Sequence, residues 1–129
     1  MTTERLLCQH PLKSGLTLEF WDRSRPVAGD RWQVVLEVRL AVAVTQAHLP
    51  ENLQADLDDV SRMLGPQAVF SKEEVRHFVA AAAVPQLLQE LQAMLLKSLQ
   101  NYLGHPAFPA KFIGKKFAEA REQQRRYGR

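Results

Sequence analysis

The sequence predicts an α+β fold: an antiparallel meander of three or four strands packed against one long amphipathic helix, followed by a basic C-terminal helix. Three observations predict it. Trp32, Val34, Leu36, Val38, Leu40, Val42 and Val44 fall at every second position, the period of a strand with one buried face. Val84, Leu87, Leu88, Leu91, Met94, Leu95, Leu99, Tyr102 and Leu103 recur at helical spacing and trace one broad apolar face. Residues 105–129 carry seven Lys/Arg against two Asp/Glu, a surplus larger than the whole chain's net charge of +3.

The elements follow in order. Residues 1–45 form the meander. Arg5 to His10 is a short first strand, limited by Pro11, whose ring nitrogen cannot donate to a ladder. Lys13–Ser14–Gly15 turns the chain, and Leu16 to Trp21 alternates as a second strand. Asp22 to Asp30 contains Pro26 and Gly29 and reads as a hairpin connection too long for a two-residue turn. It leads into the long strand Arg31–Val44.

Residues 46–66 are a connecting helix. Pro50 suits its first turn, Leu53, Leu57, Val60 and Leu64 make its apolar stripe, and Gly65–Pro66 stops it. Residues 67–104 hold a choice. Ser71 and Glu74 match a capping box that would start a helix at Lys72. Ala68 to His77 also suits a fourth strand covering the free edge of the third, and we favour a strand followed by the main helix. Gly104 ends that helix, and His105–Pro106 connects it to the basic helix, whose stripe is Phe112, Ile113, Phe117 and Ala120. Its last turns lack an apolar anchor except Tyr127 and are expected to fray. Gly114 costs this helix about 1 kcal/mol relative to alanine.

The totals limit the function classes. A chain of 129 residues with 46% hydrophobic and 24% charged residues fits one domain, 1–129. Cys8 is the single cysteine, which rules out an intramolecular disulfide or a Cys-rich zinc site and suits a reducing cytoplasm. Met1 to Arg5 is polar and Leu6–Cys8 is too short for a leader core, so no secretory leader is expected. The apolar runs Leu40–Val44 and Phe78–Pro85 fall well short of the ~20 residues that span a bilayer, so a soluble protein without membrane contact is expected. His10, His48, His77 and His105 are scattered, and no metal or cofactor is expected. There is no Gly-rich phosphate loop, no Gly-x-Ser-x-Gly elbow and no His-Glu-x-x-His, so the expectation is a protein that is not an enzyme.

Two constellations are candidates for binding. Arg23, Arg25, Asp30, Arg31 and Trp32 could converge on a small anionic, nucleotide-like ligand, three arginines holding charge while the indole stacks on a ring. Against this, Asp22 and Asp30 suffice to pair the arginines and hold the loop. Lys111, Lys115, Lys116, Arg121, Arg125 and Arg126, interleaved with Phe112, Phe117 and Tyr127, could contact an acidic protein or nucleic acid. Glu119 and Glu122 dilute that surface by pairing one helical turn away. The leading expectation is a binding or adaptor protein using this basic helix, and the alternative is a ligand sensor at the Asp22–Trp32 loop. A free sheet edge or the leucine-rich helix could join two copies.

Overall fold

The computed structural model describes residues 3–127 and has an α+β architecture. Five strands, β1 (Arg5–Pro11), β2 (Thr17–Asp22), β3 (Arg25–Ala28), β4 (Arg31–Ala43) and β5 (Gln67–Ala80), form one antiparallel sheet. Three helices, α1 (Leu57–Leu64), α2 (Val84–Leu103) and α3 (Phe108–Tyr127), accompany it.

The alternation in β4 does what its period requires. Val34, Leu36, Val38, Leu40 and Val42 are fully buried, as are Leu18 and Phe20 of β2, which lie opposite Leu40 and Val38. They form one cluster with Leu88, Leu91, Leu95, Leu99 and Leu103 of α2. Pro85 lies in the first turn of α2, where a missing N–H has no intrahelical partner to lose. Met94 and Tyr102, at the margin of the expected apolar face, remain exposed.

The core continues sideways through α3. Phe108, Phe112, Ile113 and Phe117 are buried with Leu49, Leu53 and Val60. Phe70 of β5 meets Phe108 and Phe112 edge-on, each at 6.2 Å between ring centroids. The four aromatic and aliphatic positions of α3 thus tie the helix to the far end of β5 and to α1.

Three local readings change in the folded chain. Asp22–Asp30 is not an open hairpin loop: Arg25–Ala28 pairs with Arg31–Gln33 as β3. β2 and β3 run along the same edge of β4, broken at Arg23–Ser24. There Arg23 N donates to Val35 O (2.9 Å) and Val35 N donates to the Ser24 hydroxyl (3.0 Å), so the break keeps its backbone groups satisfied.

The connecting helix is shorter than its apolar stripe suggests. Gln46–His48 and Glu51–Asp56 are 3-10 turns, and only Leu57–Leu64 is α-helical. Gln54 Nε2 donates to Leu49 O (2.7 Å) and Gln46 Nε2 donates to Gln54 O (2.7 Å). These side chains satisfy the turn's carbonyls in place of α-helical bonds.

The choice at residues 68–77 resolves as a strand. β5 pairs with β4 from Ala43↔Gln67 to Arg31↔Ala80. Ser71 caps no helix; its hydroxyl donates to Glu37 Oε2 at 2.7 Å across the ladder.

Candidate functional site

The loop constellation does not converge. Arg25 lies on β3 and Arg31 and Trp32 lie on β4, so side chains there alternate between faces. Gln33 sits opposite Arg25 and shares a face with Arg31, whereas Trp32 alternates to the face that Val34 and Leu36 bury. The indole therefore lies on the side of the sheet away from Arg31.

Each charged group also has a partner. Arg25 Nε donates to Gln33 Oε1 (2.9 Å), and Arg31 Nε lies 3.7 Å from Asp30 Oδ1. The Asp30 carbonyl accepts from Ala81 N (2.8 Å). Arg23 Nη1 donates to Glu73 Oε2 (2.8 Å) and lies 3.9 Å from Glu37 Oε1. Arg23 thus joins an ion-pair network with Glu37 and Glu73, Arg31 pairs with the neighbouring Asp30, and Arg25 is held by the neutral Gln33 amide.

That network extends across the uncovered face of the sheet, and the sequence did not point to it. Arg39 donates to Glu37 Oε1 (2.6 Å) and to Glu4 Oε2 (2.5 Å), while its guanidinium lies 4.5 Å from the centroid of Trp21. Trp21 Nε1 donates to Glu19 Oε1 (3.0 Å). Glu37 sits at the centre, with 12% of its side chain exposed. Burial by itself would raise its pKa, but the Ser71 hydroxyl, Arg39 and Arg23 hold the carboxyl below its usual range. The arrangement links β2, β4 and β5, and among the described residues both cations at its centre, Arg23 and Arg39, lie within 4 Å of an acid.

Cys8 is equally unsuited to nucleophilic work. Gln92 Nε2 contacts its sulfur at 2.9 Å, and burial pushes the thiol pKa up, away from the thiolate. Among the described residues, no group of three His, Cys, Asp or Glu side chains is placed to hold a metal ion.

The basic helix divides into two sets. Lys116 lies 3.8 Å from Glu119, and Arg125 and Arg126 both pair with Glu122. Lys111, Lys115 and Arg121 have no ion-pair partner within 4 Å among the described residues. These three line a single groove of about 350 Å³ between α3 and the Pro50 turn, with Pro50, Leu53, Ala110, Gly114 and Ala118 contributing to its apolar lining. Arg121 also stacks on Phe117, 5.5 Å from the ring centroid, and borders a second hollow of about 300 Å³ shared with Asp56 and Asp59.

No family model, curated protein or solved structure gives a significant match to this chain. Gly114 explains the groove's shape: a Cβ there would stand 3.3 Å from Pro50 Cγ, so glycine lets α3 approach the turn closely. From sequence, Gly114 registers only as a cost to helix stability. The glycine between Lys111 and Lys115 was the available signal, but its partner Pro50 lies more than sixty residues earlier.

Among the described residues no helix is long and apolar enough to cross a membrane.

Proposed function

We propose that this chain is a non-catalytic binding protein whose groove between the Pro50 turn and α3 receives an acidic, amphipathic segment of a partner protein. The observation that carries this reading is the coincidence of unpaired charge and apolar surface. Lys111, Lys115 and Arg121, the cations of α3 with no ion-pair partner within 4 Å among the described residues, border an apolar groove. From Lys111 to Arg121 the helix rises about 15 Å, enough for roughly three turns of a docked helix. Carboxylates at one edge of such a segment would meet the cations while its apolar side chains enter the groove.

Nucleic acid is the weaker partner. Phosphate binding gains from a long run of uncompensated cations, and Glu119 and Glu122 neutralise the outer half of this helix. The proposed setting is a reducing cytoplasm, in which Cys8 remains a thiol.

Fluorescence anisotropy with a labelled Glu/Leu amphipathic peptide, alongside single-stranded RNA and duplex DNA, tests the reading. The acidic peptide is expected to bind at low salt. The Lys111→Glu/Lys115→Glu variant should weaken it by roughly tenfold, equivalent to about 1.4 kcal/mol. Peptide affinity that ignores this double substitution, or nucleic-acid binding tighter than peptide binding, would overturn the proposal.

A further inference from the structure

We propose that two copies of this chain join edge to edge along β5, antiparallel, with Val75 of one copy opposite Val75 of the other. β5 spans fourteen residues and pairs only with β4 among the described residues. Its outer N–H and C=O groups form an open ladder, able to accept another strand. The other outer strands are shorter and carry proline: β1 has seven residues and ends in Pro11, and β3 has four and contains Pro26.

The occupant follows from charge. Two antiparallel copies related by a two-fold axis normal to the sheet must bring one residue opposite its own copy. Centring on Val75 brings Glu74 opposite Arg76 and Glu73 opposite His77, each twice by symmetry. Centring on Glu74 would oppose Glu74 to itself and Lys72 to Arg76; centring on Glu73, Lys72 or Arg76 opposes a like charge to itself. Val75 is therefore the one centre within Lys72–Arg76 that matches opposite charges and opposes no charge to itself.

The side chains are available for it. Glu74 and Arg76 are bonded to each other on their own strand at 3.1 Å, with side chains 24% and 43% exposed. A second copy would close this pair into an alternating cluster of four charges. Lys72, Glu74 and Arg76 lie opposite Val38, Leu36 and Val34 on the helix side of the sheet. Charges on that side discourage indiscriminate pairing with apolar strands, yet they are self-complementary in this one register. The bulge near Phe78, where the β4–β5 register slips, ends the regular match on each side.

Sedimentation equilibrium across low-micromolar to submillimolar protein is the test, with folding of every variant checked by circular dichroism. A concentration-dependent dimer is expected. Arg76→Glu should weaken it by more than about tenfold, because Glu74 then faces a glutamate at both symmetric positions. Adding Glu74→Arg to Arg76→Glu should restore it. In a Cys8→Ser background, Val75→Cys should form an intermolecular disulfide on mild oxidation, since directly opposed Cα atoms lie about 4.5–5.5 Å apart. Ser71→Cys should not, because its two copies would lie about 26 Å apart. A monomer throughout, a dimer indifferent to Arg76→Glu, or cross-linking at Ser71 in preference to Val75 would overturn the proposal.

Discussion

Glu37 shows how one side chain can carry a local balance. It is mostly buried on the face of the sheet that the helices leave open, beside Ser71, Arg39 and Arg23. Those groups favour the carboxylate more than burial disfavours it, so its folded pKa lies below the unfolded value. The stabilisation is therefore complete above the ordinary glutamate range and is lost as pH falls through the depressed value. Glu37→Gln should cost about 1–2 kcal/mol at neutral pH. It should also flatten the decline in stability below about pH 4.3, the unperturbed glutamate value, which urea titrations at several pH values would measure. Phe78 carries the opposite kind of feature. It has φ of 55° and is 71% exposed, so its backbone is strained while its ring contributes little burial. Phe78→Gly should raise stability by about 0.5–1 kcal/mol, because the left-handed cost exceeds the entropy cost of glycine. Neither residue was conspicuous in the sequence. A strand residue's conformation and its cross-strand neighbours depend on register, which local composition does not specify.

At the scale of elements, β4 is the member on which β2, β3, β5 and α2 are built. β2 and β3 share one of its edges and β5 takes the other. Leu36 is fully buried at its middle, so Leu36→Ala should destabilise the protein by about 3 kcal/mol in a thermal or urea melt. The same truncation at Leu6, which is 40% exposed on β1, should cost under about 1 kcal/mol. The alternation of β4 and the periodicity of α2 were plain in the sequence, because each element buries a single face and the pattern records it. The connecting segment was less legible. Leu53, Leu57, Val60 and Leu64 have helical spacing, but the first half forms 3-10 turns in which Gln46 and Gln54 side chains bond carbonyls of the same segment. β3 was hidden for a related reason. Pro26 and Gly29 mark a turn in isolation, whereas Pro26 is tolerated here on a short outer strand opposite Trp32.

Over the whole molecule, charge acquires meaning only after folding. The surplus at the C-terminal end is evident in the sequence, as is the apolar stripe that seats α3. Which cations remain unpaired is not evident, since it depends on Glu119 and Glu122 and on how closely the Pro50 turn approaches Gly114. The arginines of the first loop are as prominent in the sequence, but in the fold they meet Glu73, Gln33 and Asp30. Filling the groove and pairing the β5 edge are separable: Lys111→Glu/Lys115→Glu should leave dimerisation unchanged, and Arg76→Glu should leave affinity for the acidic peptide unchanged. Sedimentation and anisotropy on both variants would check this. The sequence by itself determined the α+β class, the buried face of β4 and the amphipathic face of α2, because hydrophobic periodicity is a local consequence of burying one side of a strand or helix. Only the tertiary structure decided that residues 68–77 form an outer strand, that the loop arginines meet Glu73, Gln33 and Asp30, and that Lys111, Lys115 and Arg121 meet at a groove. Those outcomes depend on partners far away along the chain, brought into contact by the packing of the sheet and helices.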